Sequence, residues 1–319
     1  MNVYLTFDIE VWCKGWEDLD KNFPSSFERY IYGRSPQGEY ALPKTLEILD
    51  KHGIKGIFFV EPLFAARFGI EYLAVIVDLI RAGGHEIQLH LHPEWTNEIK
   101  PLLFPGASSK RQHLSYYTLE EQCLLIKFGL SLLQEVGIDN VKGFRAGSYA
   151  ANANTYKALA HCGIKVDSSL NFCHMVSGDD LRETISLLSP VIIDGVEVLP
   201  VTVFRDGLGK LRPAQVGACS FSEMRGAIES AAGNGTSHFV IVSHNFEMLR
   251  QSSAQPDLIV ATRFDSLCRY LAENQGSYRA TGLHAPLGIV AASQTRLPSA
   301  SFSATLRRHI EQAARRVVK

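Results

Sequence analysis

The chain has 319 residues, 46% hydrophobic and 20% charged, which is enough for one large α/β domain or two smaller ones with ample core. Its 32 basic residues against 33 acidic ones leave no overall field to recruit nucleic acid, and no apolar run approaches the length of a transmembrane segment. Six scattered cysteines without a C-x-x-C pair read as reduced, mostly buried thiols rather than a disulfide framework.

The first strand, Asn2 to Asp8, begins at about residue 2 and leaves no room for a secretory leader, so the protein is expected in the cytoplasm. Glu10 to Glu39 follows, rich in Gly, Ser, Pro and aromatics (Trp12, Trp16, Phe23, Phe27, Tyr30, Tyr32). So many rings argue against disorder, and a substrate-covering loop is preferred over a packed surface loop. Helical spacing over Leu42 to His52 leads into a strand at Ile54 to Val60, then a helix at Glu71 to Ala82 and a strand at His85 to His92. A second long loop, Pro93 to Tyr117, leaves the histidine strand from the same end as the first leaves the acidic one. Helix Leu119 to Val136, strand Val141 to Arg145, helix Ala153 to Cys162 and strand Ile164 to Ser168 continue the series. Pro190 to Phe204, centred on Asp194-Gly195, predicts an inserted β-hairpin. Helix Phe221 to Ala232, strand His238 to His244 and helix Leu258 to Asn274 complete the alternation, which implies a parallel sheet, open or closed into a barrel.

From about residue 285 the rhythm is lost, so the expected organisation is a catalytic domain over 1–284 and a tail over 285–319. The end of the tail carries Arg296, Arg307, Arg308, Arg315, Arg316 and Lys319 against Glu311 alone, on an amphipathic helix with Leu306, Ile310, Ala313 and Val317. Such a basic helix can lie on an anionic membrane surface, meet an acidic partner, or simply present a solvated face.

Two strands carry the chemistry. Side chains two apart on a strand share one face, so Thr6, Asp8 and Glu10 oppose Val3, Leu5, Phe7 and Ile9, while Gln88, His90 and His92 oppose Ile87, Leu89 and Leu91. Alternation alone is satisfied by a polar face in water. Carboxylates and paired imidazoles are instead what a divalent cation selects. In a parallel α/β fold, sites form at the carboxyl ends of such strands.

Further segments narrow the reading: Gly84-His85-Glu86-Ile87, Gly143-Phe144-Arg145-Ala146-Gly147-Ser148-Tyr149, Gly163-Ile164-Lys165-Val166-Asp167-Ser168-Ser169 and Val240-Ile241-Val242-Ser243-His244-Asn245. Together with Thr6-Phe7-Asp8 this ordered set resembles the NodB-homology polysaccharide deacetylases, over most of residues 2 to 250. The resemblance implies a distorted, seven-stranded (β/α) barrel of the α/β class with an inserted hairpin and a C-terminal helical tail. It implies Asp8 as catalytic base, His244 as general acid, Arg145 as the residue that holds Asp8, and Asp167 as an orienter of Arg145 or His244. Where many members carry an aspartate ligand this chain has Ile9, and Glu10 fits the D-x-E variant. His90 is the second ligand. The third is His92, with Glu94 as the alternative, because the usual H-x-x-x-H spacing is absent. His85 matches the structural histidine, and a backbone N–H at Ser148 or Tyr149 would complete an oxyanion site. Asn245 stands where an aspartate is common.

The implied cofactor is a divalent ion, zinc first, with Co2+, Mn2+ or Ni2+ as alternatives. The expected activity is hydrolysis of an N-acyl group, acetyl foremost, on an amino sugar. A nucleotide- or lipid-linked intermediate of surface polysaccharide or lipopolysaccharide assembly is the expected substrate. Rival expectations are hydrolysis of a non-sugar C–N bond (ureide, cyclic imide or formamide) and a barrel that binds saccharide without cleaving it. Trp12, Trp16 and Trp95 are candidates to stack on a sugar ring, with core packing as the alternative. Asp179-Asp180 reads as a solvated turn, and His113, His161, His174, His238 and His284 as packing or surface histidines.

Overall fold

Asn2–Ile9 forms the opening strand and pairs in parallel with His238–His244, in register from Asn2 opposite His238 to Asp8 opposite His244. The computed structural model describes residues 1–319 except 107–108, 175–187, 251–252, 254, 284–286, 288–295 and 318–319. The Asp179-Asp180 turn, His284 and the boundary expected at residue 284 therefore lie outside the described residues. Two units divide the chain: 1–56 with 202–282 and 294–319, and 57–201 with 283–293.

In the first unit every residue from Val3 to Ile9 is buried, so the polar face of the opening strand is not the solvated face that alternation usually marks. A parallel strand covered on both sides leaves its polar residues no water, and each must find a partner in the protein. Thr6 does so by donating its hydroxyl to the Ile241 carbonyl at 2.8 Å. Leu42–Lys51, Phe221–Gly233 and Leu258–Glu273 are helices of this unit that match the sequence expectation within two residues at each end. Phe264 of the last meets Phe7 edge-on, with centroids 5.6 Å apart. Phe221–Gly233 begins with a reciprocal capping box between Ser220 and Glu223.

The stretch expected to be a loop, 10–39, holds a helix at Leu19–Phe27 and a π-turn at Glu28–Tyr32. Pro24 sits inside that helix, and the helical period is thereby disguised in the sequence. Leu19, Phe23, Phe27 and Ile31 form its buried side. A short antiparallel pair, Val203–Arg205 with Leu211–Pro213, is a second addition. The tail forms the helix Phe302–Val317.

The second unit carries Ile57–Val60, Glu86–Leu91, Gly143–Ala146 and Val166–Asp167 as successive parallel neighbours. Ile70–Ala82, Leu119–Glu135 and Ala153–His161 intervene as helices. The expected hairpin is present as Val191–Ile193 against Val196–Val198, and its second strand joins Val166–Asp167 in parallel. Asp194 and Gly195 take φ 48° and 80°, the left-handed pair that a two-residue hairpin turn requires.

Candidate active site

Three titratable groups meet at the end of the opening strand pair. The register sets Asp8 directly opposite His244, and donor atoms of Asp8, Glu10 and His244 all lie within 4.8 Å of one another. His244 Nε2 stands 3.9 Å from Asp8 Oδ2, while its Nδ1 bonds Glu247 Oε1 at 2.9 Å. Glu247 is itself fixed: its carboxylate accepts from the Gly217 N–H, the Gln215 amide at 2.6 Å and the Ser243 hydroxyl at 3.1 Å. A turn from the His244 carbonyl to the Glu247 N–H at 3.2 Å folds that side chain back onto the ring. Burial works against charge on the imidazole, but the bond to Glu247 and the negative charges of Glu10, Glu247 and Asp8 outweigh it. The His244 pKa is pushed up to about 9. The ring is thus a stored proton at neutral pH, with its free nitrogen turned towards a carboxylate.

Glu10 is oriented from two directions. Trp12 donates its indole N–H to Glu10 Oε2 at 2.7 Å. Asn245 clamps the Glu10 backbone, accepting from its N–H at 3.1 Å and donating to its carbonyl at 3.1 Å. The same amide also donates to the Tyr30 carbonyl, and the Asn245 N–H reaches the Asp8 carbonyl at 3.2 Å. An aspartate, which has no donor, would take these bonds from the buried Glu10 carbonyl and the half-buried Tyr30 carbonyl, which gives a physical reason for asparagine here. Trp12 also lines a cavity of about 230 Å³ with Arg29, Tyr30, Phe246, Leu249 and Arg250. Phe246 stacks at a tilt on His244, centroids 5.3 Å apart, and meets Tyr30 edge-on at 5.4 Å.

In the second unit the two histidines of strand Glu86–Leu91 and its end are buried, with ring centroids 4.8 Å apart. His90 Nδ1 lies 2.7 Å from the Arg145 carbonyl and donates to it. His92 Nδ1 lies 3.1 Å from Glu94 Oε1. A carboxylate on Nδ1 fixes the orientation of such a ring. Glu94 Oε2, fully buried, has no hydrogen-bond partner among the described residues. The His92 ring is seated against Gly147, where an added Cβ would come within 2.7 Å of Nδ1. Glu61, at the end of strand Ile57–Val60, is buried and feels the charge of His92. Burial pushes its pKa up to about 8 against the pull of His92 and of the Leu63 and Phe64 N–H groups.

Arg145 is wholly buried, donating through Nε to the Ser168 carbonyl and through Nη2 to the Ser168 hydroxyl, both at 3.0 Å, with its guanidinium 4.4 Å from the centre of the Phe59 ring. Asp167 accepts from the Ser169 N–H at 2.9 Å and its hydroxyl, and that hydroxyl in turn receives the Ala146 N–H at 2.8 Å. The carboxylate thus braces the backbone next to Arg145. Burial raises the Asp167 pKa to about 6, while the Ser169 bonds and the Arg145 charge pull it down. Ser148 and Tyr149 adopt φ of 54° and 57°, two successive non-glycine residues in the left-handed region. Trp95 is buried edge-on against Phe68, centroids 6.1 Å apart, so it packs the core and offers no face to a sugar. The six cysteines are thiols, not disulfides.

The residues that sequence reasoning missed are Glu247 and the bracing role of Asn245. The signal available for the first was its position three residues beyond His244, in the turn that ends the strand.

No protein-family model matches the chain, and no curated protein matches its sequence. Among solved structures, a polysaccharide deacetylase candidate from Mycobacterium smegmatis aligns with 88% of this chain and 87% of its own, at 20% identity and a TM-score of 0.54. The 4-alpha-glucanotransferase of Thermococcus litoralis aligns with 96% of this chain but 40% of its own, at 14% identity and a TM-score of 0.51. A family 4 carbohydrate esterase from Streptomyces lividans, solved with acetate, covers 92% of this chain and 98% of its own at 14% identity and a TM-score of 0.45. At these identities the likeness is one of architecture, and the same architecture serves a glucanotransferase. The chain has the α/β fold of the polysaccharide deacetylases.

Proposed function

We propose that this protein is a metal-dependent amide hydrolase that removes an N-acyl group, acetyl foremost, from an amino sugar carried on a nucleotide or lipid diphosphate. The observation that carries the reading is the Asp8–His244 pair: a carboxylate 3.9 Å from an imidazole whose other nitrogen is held by Glu247. A binding module has little use for a base and a charged acid side by side.

Glu10, His90 and His92 are the residues proposed to hold a divalent cation, zinc foremost. The donor set fits: one carboxylate steered by Trp12, and two buried imidazoles held through Nδ1, with Nε2 the nitrogen proposed to bind. Such an ion supplies an acidified water and polarisation of the amide carbonyl. Glu94 is better suited to hold His92 than to replace it, since its Oε1 already meets the ring.

Asp8 takes the proton of the attacking water. His244, charged at neutral pH, delivers its Nε2 proton to the departing nitrogen, without which the amine is too poor a leaving group. Glu247 keeps that tautomer and orientation through Nδ1. A backbone N–H at Ser148 or Tyr149 is proposed to meet the developing oxyanion. Arg145 and Asp167 are proposed as positioning residues.

The finer choice of substrate rests on the cavity beside His244. Trp12, Tyr30 and Phe246 offer ring faces for a sugar or base, and Arg29 and Arg250 place two cations on the same wall, suited to a diphosphate. The test is a panel of free, nucleotide-linked and lipid-linked N-acetyl amino sugars and of cyclic ureides and formamides, with released acetate, formate and amine measured separately. Acetate release from the linked sugars, lost in Asp8→Asn, supports the reading. Turnover confined to ureides or formamides, or sugar binding without release on the ion-loaded protein, overturns it.

A further inference from the structure

The helix Phe302–Val317 is inside out. A surface helix ordinarily turns its apolar stripe to the protein and its charges to water. Here the inward side is polar: Thr305 is 1% and Arg308 4% exposed. Arg308 bonds both Asp206 and Glu223 at 2.9 Å, Arg315 pairs with Asp257 at 2.5 Å, and Glu311 accepts from Arg263 at 2.7 Å. Thr305 Oγ1 donates to Glu223 and accepts the Gly207 N–H at 2.8 Å. These contacts anchor the helix through charge, and Ala304 is the small apolar residue among them.

The outward side is apolar. Phe302, Leu306 and Ile310, one turn apart from each other, are 61%, 50% and 62% exposed, and Ala313 continues their line. Gly207 abuts the backbone of Phe302, so the neighbouring Leu208, 54% exposed, stands beside the first turn and widens the patch. At 100° per residue, Arg316 and His309 fall along one edge of the stripe and Arg307 along the other, and all three are exposed. An apolar strip bordered on both edges by basic side chains is complementary to one kind of surface, in which acyl chains lie just beneath anionic headgroups.

We propose that this face docks the protein on an anionic lipid bilayer, with Phe302, Leu306 and Ile310 immersed at the headgroup boundary and Arg307 and Arg316 on the lipid phosphates. The proposal is independent of the hydrolase reading, since it rests on residues outside the candidate active site.

Its test is co-sedimentation of the full chain with vesicles of phosphatidylcholine alone and of phosphatidylcholine mixed with phosphatidylglycerol. Binding is expected on the mixed vesicles and to weaken with added salt. The double variant Leu306→Ser/Ile310→Ser should reduce partitioning at least about tenfold, and Arg307→Glu/Arg316→Glu by at least about tenfold, at about fivefold per cation. The substituted side chains are exposed, so thermal melting and circular dichroism serve to show that both variants keep the fold. Failure of the wild type to bind mixed vesicles overturns the proposal. So does a dimer in vesicle-free solution that Leu306→Ser/Ile310→Ser dissolves, which assigns the face to a second copy. Equal binding to neutral vesicles overturns the assignment of the basic edges.

Discussion

Replacing Glu247 with glutamine keeps the size of the side chain and removes the charge that faces His244 Nδ1 at 2.9 Å. The rise of the His244 pKa from 6.5 to about 9 corresponds to about 3 kcal/mol of preference for the charged ring. Glu247 supplies a bond and a Coulomb attraction to that total, with Asp8 and Glu10 supplying attraction alone. In Glu247→Gln the pKa should therefore fall, because one close opposite charge and the bond it makes are lost. A histidine raised in the folded state stabilises the fold fully below its unfolded value and loses that contribution as pH rises through its folded value. The variant should accordingly be less stable than the parent near pH 6 by a share of that ~3 kcal/mol, and this pH-dependent share should vanish by about pH 10. A pH-independent loss remains, because Gly217, Gln215 and Ser243 also donate to this carboxylate. The assay is NMR titration of the ring protons on chelator-treated protein, beside urea denaturation at both pH values. An unchanged His244 pKa, or a destabilisation equal at both pH values, refutes the assignment of Glu247 as the group that charges and holds the ring.

Asp8→Asn and His244→Asn should each lower turnover by about 10²–10⁴-fold, as measured by acetate release, and His244→Asn should also lose the stability that its charged ring supplies below about pH 9, as measured by calorimetry. Asn245→Asp strips both donors from the Glu10 and Tyr30 carbonyls and should cost about 3 kcal/mol in urea denaturation, with no comparable loss in Asn245→Gln if the longer amide still reaches. Gly147→Ala sets a methyl within 2.7 Å of the His92 ring. It should weaken divalent-ion affinity about 10–100-fold in competition with a chromogenic chelator. Prolonged dialysis against a chelator should abolish hydrolysis, and stoichiometric zinc should restore it.

The parallel strands and the helices between them were legible because burial imposes regular spacing, and Asp194-Gly195 announced its turn because few residues accept two successive positive φ values. Asp8, Glu10, His90 and His92 were legible from alternation combined with residue type. The helix Leu19–Phe27 escaped because Pro24 and its aromatic neighbours look like a loop, although Leu19, Phe23 and Phe27 lie on one side of it. Glu247 escaped because its role depends on the turn after the strand, which spacing along the strand does not encode. The final helix was read correctly as amphipathic, but which side faces inward is decided by Asp206, Glu223 and Asp257, acids distant in sequence. No local pattern carries that choice.

The pairing of Asn2–Ile9 with His238–His244 also sets an order of events during synthesis. Thr6 and Ile241, like Glu10 and Asn245, are joined although they stand 235 positions apart, whereas residues 57–201 hold strands that pair with near successors. The nascent chain can close those local pairs while the partners of Asp8 and Glu10 are still unmade. The strand pair that sets Asp8 opposite His244 can therefore close only after the chain has been made through residue 244, by which time the local pairs of residues 57–201 are available to fold.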